Sequence, residues 1–316
     1  MESDWSARHG FLYVAAFPEE EREAAALELK AMTGTALEGG VARSSVACDV
    51  GASAYTKIVM AVAAEAESFE ELVGLVADLG LEAEGFAVEV HRPPPKVDVS
   101  SIDCAKEIAD AIAGNPDLDH PKIALAVVAK EGRYWFGRVV SRARRDWHDA
   151  SERPENFSNS LPTRLARALV NMVAAPGDLV VDPCCGAGTA VVEAALVGAK
   201  VEGYDLNWLH VEQTRKNLEH YGLKVRAAKG DARELEGRWD AAVIDLPYGH
   251  TSVADDQLYL DVVGNVARRV KRLAVVTGHE KDYVWDRLGL AIRGRAKVPA
   301  TRLVRHLYLL GGTPEA

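Results

Sequence analysis

The chain has 316 residues and little cysteine: Cys48, Cys104, Cys184 and Cys185 are the full set. No paired C-x-x-C spacing is present, and adjacent cysteines do not bridge easily, so neither a zinc cluster nor a disulfide framework is expected. A reducing, cytoplasmic setting follows from that usage. Long apolar runs are also missing. No window approaches the roughly 18 residues of a spanning helix, and no basic stretch followed by an apolar core opens the chain, so neither a membrane span nor export is expected. Positive charge is scarce overall, with a net charge of −10, which at first sight counts against a phosphate-rich partner. The distribution changes that reading. Residues 1–100 carry 18 acidic against 7 basic residues, and the remaining 216 carry 29 against 30. The acidity belongs to the first segment, and the rest holds clusters open to phosphate: Arg138, Arg142, Arg144 and Arg145; Arg164 and Arg167; Arg268, Arg269, Lys271 and Arg272; Arg293, Arg295, Lys297, Arg302 and Arg305. Each cluster taken singly also reads as an ordinary solvated face.

At 48% hydrophobic residues the chain can bury a sizeable core, and its length predicts two folded parts. The most informative stretch is Asp182-Pro-Cys-Cys-Gly-Ala-Gly-Thr189, between the apolar run Leu179-Val-Val181 and a helical pattern over Ala190–Val197. A strand, a glycine turn and a helix start make a nucleotide-cofactor pocket: Gly186 and Gly188 admit a close ligand, and the helix aims free N–H groups at the loop. Asp205 ends the next strand-like run, about twenty residues on, where an acid accepts ribose hydroxyls. The dinucleotide fingerprint wants a third small residue where this chain has Val191, which turns the reading away from NAD. A further buried-strand run, Trp239–Ile244, closes on Asp245-Leu-Pro-Tyr-Gly249, an acid, a proline and an aromatic that form a slot for a planar amine.

These motifs, with Asp205-Leu-Asn207 and Gly230-Asp-Ala232, resemble in order those of S-adenosylmethionine-dependent methyltransferases acting on exocyclic amino groups. The run Arg153-Pro-Glu-Asn-Phe157 through Leu161-Pro-Thr-Arg-Leu-Ala-Arg-Ala-Leu-Val-Asn171 is similar to the segment ahead of the catalytic core in the THUMP-associated tRNA guanine-N2 methyltransferases. That group includes the archaeal and eukaryotic enzymes for guanine at tRNA position ten. The resemblance covers residues 153 to about 312 well and 1–152 loosely.

Along the chain, β-α-β-β-α-β order predicts a small ferredoxin-like α+β domain over 1–95, with helices at Glu19–Met32 and Phe69–Leu79, the second capped by Ser68 with Glu71 three residues on. Residues 91–96 read as a stiff linker. A helix over Ser101–Ala113 and a hairpin over 123–129 and 134–140 place a truncated THUMP-like segment or linker domain at 96–150. From 151 to 316, helix and strand alternate with short connections and end in two adjacent strands. That pattern predicts an α/β fold: a mostly parallel Rossmann-like class I methyltransferase sheet with its last strand antiparallel.

The resemblance implies S-adenosyl-L-methionine as cofactor, held by Asp182, Cys184, Gly186, Gly188, Thr189, Asp205, Leu206, Asp231, Ala232 and Asp245. Asp182 faces the methionine ammonium, Asp205 the ribose, and Asp231 with the Ala232 N–H the adenine. Catalysis falls to Asp245, Pro247 and Tyr248. The amine of guanine is a poor nucleophile because its lone pair is delocalised; Asp245 and a carbonyl at 246 or 247 accept its hydrogens and Tyr248 stacks on the base. Leu246 stands where the commonest form of the motif has proline. Asp245–His250 holds no cysteine, which argues against a cytosine-C5 enzyme. The expected activity is methyl transfer to guanine N2 in RNA, tRNA foremost, with no metal and no membrane partner. A DNA adenine-N6 or cytosine-N4 methyltransferase, or a non-catalytic RNA-binding protein with the same fold, are the alternatives.

Overall fold

The computed structural model describes residues 9–94, 97–144, 152–156, 160–246, 253–300 and 303–313. Two compact units emerge: residues 1–17 with 33–143, and residues 18–32 with 144–316.

The first unit is built on one six-stranded sheet of β1 (Phe11–Ala15), β2 (Val41–Ser44), β3 (Thr56–Ala66), β4 (Phe86–His91), β5 (Ile123–Lys130) and β6 (Arg133–Arg142), in the order β2-β1-β3-β6-β5-β4. Only β4 and β5 pair in parallel. β3, with its Ile-Val-Met-Ala-Val run, is buried on both faces and so takes a central place. Helices α2 (Phe69–Asp78) and α3 (Ser101–Asp110) supply Leu72, Val76 and Ile108, and the turn after α3 supplies Ile112, to a core shared with Phe86, Leu125 and Phe136. Ser68 caps α2 by accepting the Glu71 N–H at 3.2 Å, as the sequence predicts, while the Glu71 carboxylate reaches back one residue further and accepts the N–H of Glu67.

This arrangement corrects the expected division at residue 95. β4, from the 1–95 segment, lies beside β5, from the 96–150 segment, and β6 inserts next to β3, so the two segments complete a single sheet. Strands with two unsatisfied edges pair wherever their apolar faces share a core, and sequence order does not restrict them to neighbours in the chain.

The helix read at Glu19–Met32 is also reassigned. α1 (Arg22–Thr33) follows a 3-10 turn at Glu19–Glu21, and residues 18–32 pack within the second unit. The fully buried Glu28 accepts the Asn171 side-chain N–H at 2.7 Å, Glu21 pairs with Arg164, and Glu23 accepts the backbone N–H of Lys297.

The second unit holds β7 (Leu179–Asp182), β8 (Lys200–Asp205), β9 (Arg226–Lys229), β10 (Ala241–Asp245), β11 (Arg272–Thr277), β12 (Ile292–Ala300) and β13 (Leu303–Gly311), in the order β12-β13-β11-β10-β7-β8-β9. β7 to β11 are mutually parallel, and β13 enters antiparallel between β11 and β12, as the sequence pattern predicts. Its helices are α4 (Thr163–Val173), α5 (Thr189–Leu196), α6 (Trp208–His220), α7 (Val253–Ala267) and α8 (Asp282–Arg287). Near-continuous apolar strands such as Ala-Ala-Val-Ile in β10 are buried, as a parallel sheet covered on both faces requires. Among the described residues no helix is long and apolar enough to cross a membrane.

Candidate active site

Asp182, Asp205 and Asp245 end β7, β8 and β10, three adjacent strands, and Asp231 lies two residues past β9. Four acids therefore share the carboxyl edge of the parallel sheet, where open α/β sheets bind ligands. The glycine loop crosses this edge. Gly186 and Gly188 have φ of 54° and 79°, a left-handed backbone that favours glycine. At Gly188 a Cβ would also stand 2.6 Å from Thr214 Cγ2, whereas at Gly186 nothing lies within 4 Å, so the loop is closely packed behind one glycine and open in front of the other.

Two buried side chains of α6, not singled out from the sequence, hold that loop. Thr214 Oγ donates to the Gly186 carbonyl at 2.7 Å. Asn217 Nδ2 donates to the carbonyls of Ala187 and Glu155, both at 2.8 Å, and its Oδ1 accepts the Glu155 N–H at 3.0 Å. Asn217 thereby joins the glycine loop to the Arg153–Asn156 segment. The signal was present as two polar residues, i and i+3, on the inward face of α6 with Val211 and Leu218. It is indistinguishable from ordinary helix decoration until the loop lies against it.

Asp205 braces the loop from its other side. One carboxylate oxygen accepts the Gly186 N–H at 2.9 Å; the other accepts the Asn207 N–H at 2.8 Å and lies 3.2 Å from His210 Nδ1. Asp182 is 5% exposed and accepts the Cys184 N–H at 3.1 Å. Burial pushes its carboxyl well above the usual carboxylate range, the charges of Asp245 and Asp205 push it further, and the Cys184 N–H offsets part of this. A poorly solvated patch bearing three carboxylates favours a cationic ligand. S-adenosylmethionine, with its ammonium and sulfonium, fits that donor set. Among the described residues no group of three His, Cys, Asp or Glu is arranged to hold a metal ion.

The remaining expected residues divide. Thr189 is buried at the first turn of α5, and Leu206 is 60% exposed beside Asp205, available to cover a planar ring. Cys184 is half-buried and Cys185 is buried, with its sulfur 3.5 Å from Thr214 Oγ; burial raises both thiols, so neither is a nucleophile at neutral pH. Asp231 is already engaged: Arg233 Nε donates to it at 2.9 Å, and that guanidinium holds its carboxyl below the ordinary value. Ala232 is buried, its carbonyl accepting from Asn265 at 3.0 Å. Leu246 is 1% exposed and belongs to the core cluster of Ile244, Tyr259 and Val262, so the residue standing in place of proline packs its side chain into the core. Pro247 and Tyr248 lie outside the described residues.

The basic clusters need correction. Arg167 is fully buried and paired with the equally buried Glu193 at 2.5 Å, which removes it from any phosphate-binding role, and Arg164 is paired with Glu21. Arg269 donates to the Leu235 carbonyl, and Lys271 and Arg272 pair with Asp240 and Asp178.

Similarities to known proteins agree with this geometry. TrmN from Thermus thermophilus superposes with a TM-score of 0.52 at 22% identity, covering 96% of this chain and 100% of that one, a likeness of fold. Two proteins named tRNA (guanine(10)-N2)-dimethyltransferase are similar in sequence: that of Methanothermobacter thermautotrophicus is 33% identical over 52% of this chain and 52% of its own length, and that of Methanocaldococcus jannaschii 30% identical over 53% and 54%. The chain thus spans about half the length of the curated relatives it matches. The family model described as UPF0020, RMKL-like, methyltransferase domain, matches residues 151–302.

Proposed function

We propose that this chain transfers a methyl group from S-adenosylmethionine to the exocyclic N2 amine of a guanine in RNA, tRNA foremost. The observation that carries the reading is the placement of Asp245 at the end of β10, beside the carboxylates of Asp182 and Asp205 on neighbouring strands. The sequence relatives named for guanine-N2 methylation support the choice of amine.

The cofactor supplies a methyl group on a sulfonium, which needs no further activation. The chain's task is to position and to manage charge. Asp182 accepts from the amino-acid ammonium. Asp205, held by the Gly186 and Asn207 N–H groups, retains lone pairs for ribose hydroxyls. Leu206 covers the adenine, and Asp231 reaches it once Arg233 swings outward. Asp245 accepts hydrogens of the target amine and localises its lone pair, and the resemblance assigns Pro247 and Tyr248, two and three residues further on, to a base taken out of its stack. The proton departs after transfer, so no strong base is required.

The test is incubation with labelled S-adenosylmethionine and unmodified tRNA transcripts, followed by digestion to nucleosides. Label in N2-methylguanosine is expected. Label confined to methyladenosine or methylcytidine overturns the reading.

A further inference from the structure

A second group of charged residues lies on the same edge of the seven-stranded sheet, on the side away from the cofactor residues. Asp245 pairs in register with Val276, Val276 with Leu307, and Leu307 with Ala296, so one row crosses β10, β11, β13 and β12. The next row outward holds Thr277, His306 and Lys297. Three strand spacings separate the ends of the first row, roughly 14 Å. Here Arg295, Lys297 and His306 line a cavity of about 200 Å³.

Arg295 and Lys297 alternate on the exposed face of β12, an edge strand, while the register shift between Ile292 and Gly294 sets the exposed Arg293 apart from them. Arg295 and Lys297 are 65% and 52% exposed, and their partners, Asp282 at 2.8 Å and Glu280 at 2.6 Å, are exposed as well. Ion pairs exposed in this way are weak and exchange readily for a better anion. Glu23 also lines the cavity, one of its carboxylate oxygens held by the backbone N–H of Lys297 at 2.7 Å, so its charge stays beside these cations. Tyr283, next to Asp282, is 47% exposed, and the Lys281 ammonium lies 5.9 Å from its ring centroid. An exposed aromatic one residue from Asp282, whose partner Arg295 lines the cavity, has with these cations the composition of a stacking and phosphate subsite for a single nucleic-acid strand.

We propose that Arg295, Lys297 and His306 seat a backbone phosphate of the RNA strand that carries the target guanine, with a neighbouring base resting on Tyr283. The subsite rests on the RNA reading above. It makes Glu280 and Asp282 placeholders that the incoming phosphate displaces, and it gives a role to Arg295 and Lys297 on the open face of β12.

The test measures RNA binding by the full chain, with unmodified tRNA transcripts, across a salt series, beside S-adenosylmethionine binding by calorimetry. For Arg295→Gln/Lys297→Gln we expect RNA affinity to fall about tenfold, and the slope of log affinity against log salt to become shallower by about 1.5. Cofactor affinity stays as in the wild type. Glu280→Gln works in the opposite direction, raising RNA affinity two- to threefold at low salt, an outcome that loss of folding does not mimic. Tyr283→Leu weakens binding by about tenfold and Tyr283→Phe restores it. Unchanged affinity and slope in the double variant, with methylation of RNA intact, overturn the subsite alone. A wild-type chain that binds the cofactor and neither binds nor methylates RNA overturns the reading beneath it, and the subsite with it.

Discussion

The two halves of the sheet's carboxyl edge are held by different means. On the cofactor side, Thr214, Asn217 and Asp205 fix the glycine loop through hydrogen bonds that are mostly buried or half-buried. On the β12 side, the charged groups are joined by exposed ion pairs, Arg295 with Asp282 and Lys297 with Glu280. A buried network has essentially one satisfied arrangement, because each unmade bond costs about 1–3 kcal/mol. Exposed pairs have many arrangements of similar free energy. The first half is thus preformed for a small ligand of fixed shape, and the second can adapt to a flexible polyanion.

The sharpest way to break this comparison is at Asp245, between the halves. Asp245→Asn keeps the shape and removes the charge, and single-turnover methyl transfer is expected to drop about a thousandfold, roughly 4 kcal/mol of barrier. Cofactor affinity, by calorimetry, shifts only a few-fold. A comparable loss of both would place Asp245 in cofactor binding instead. Next in size is Arg167→Met, which strands the buried Glu193 carboxylate; urea denaturation is expected to show about 3–5 kcal/mol lost, and Arg167→Met/Glu193→Leu to recover most of it. A salt-bridge surface at that position would show neither effect. Asn217→Ala removes three hydrogen bonds at a site with no exposed surface and is expected to cost about 3 kcal/mol. It should also weaken cofactor binding, since Ala187 in the loop loses its anchor. Stability lost with cofactor affinity untouched would show that Asn217 serves the Arg153–Asn156 segment alone.

Much of this molecule was legible in the sequence, for reasons particular to each element. Strands such as Leu179–Asp182 and Ala241–Asp245 are apolar throughout and end in an acid, so both their existence and their chemical end could be read. Asp182, Asp205 and Asp245 fell on one edge because parallel strands joined by short connections all present the same end. The partners of β4 and β5 were hidden, since pairing between strands distant in the chain is set by shared burial and leaves no local mark. α1 was read correctly as a helix and assigned to the wrong layer: amphipathicity reports that a face is buried and is silent about what buries it. Arg167 misled for the same reason, because a cation in a helix looks identical whether it meets a phosphate or the buried Glu193.

The smallest expected effect sharpens the comparison on its electrostatic side. Asp182 is raised by burial, with Asp245 and Asp205 adding to the shift, so its ionisation is unfavourable in the folded chain. The sign follows from linkage: a carboxyl whose folded pKa lies above its unfolded one favours the folded state below the ordinary aspartate value near 4, and that stability is lost as pH rises through the folded pKa. A cationic cofactor reverses the cause, stabilising the carboxylate and releasing a proton as it binds. Affinity for S-adenosylmethionine should therefore climb with pH from the acid side, by at most about tenfold per unit, and level off above the folded pKa of Asp182. Calorimetry in two buffers of different ionisation heat reads the released proton directly. In Asp182→Asn the rise should flatten and the buffer dependence should shrink. A wild-type affinity independent of pH, with no buffer-dependent heat, would mean that Asp182 meets the ligand already ionised or does not meet its ammonium. The fixed half of the edge would then be a scaffold of shape without the charge complementarity assigned to it.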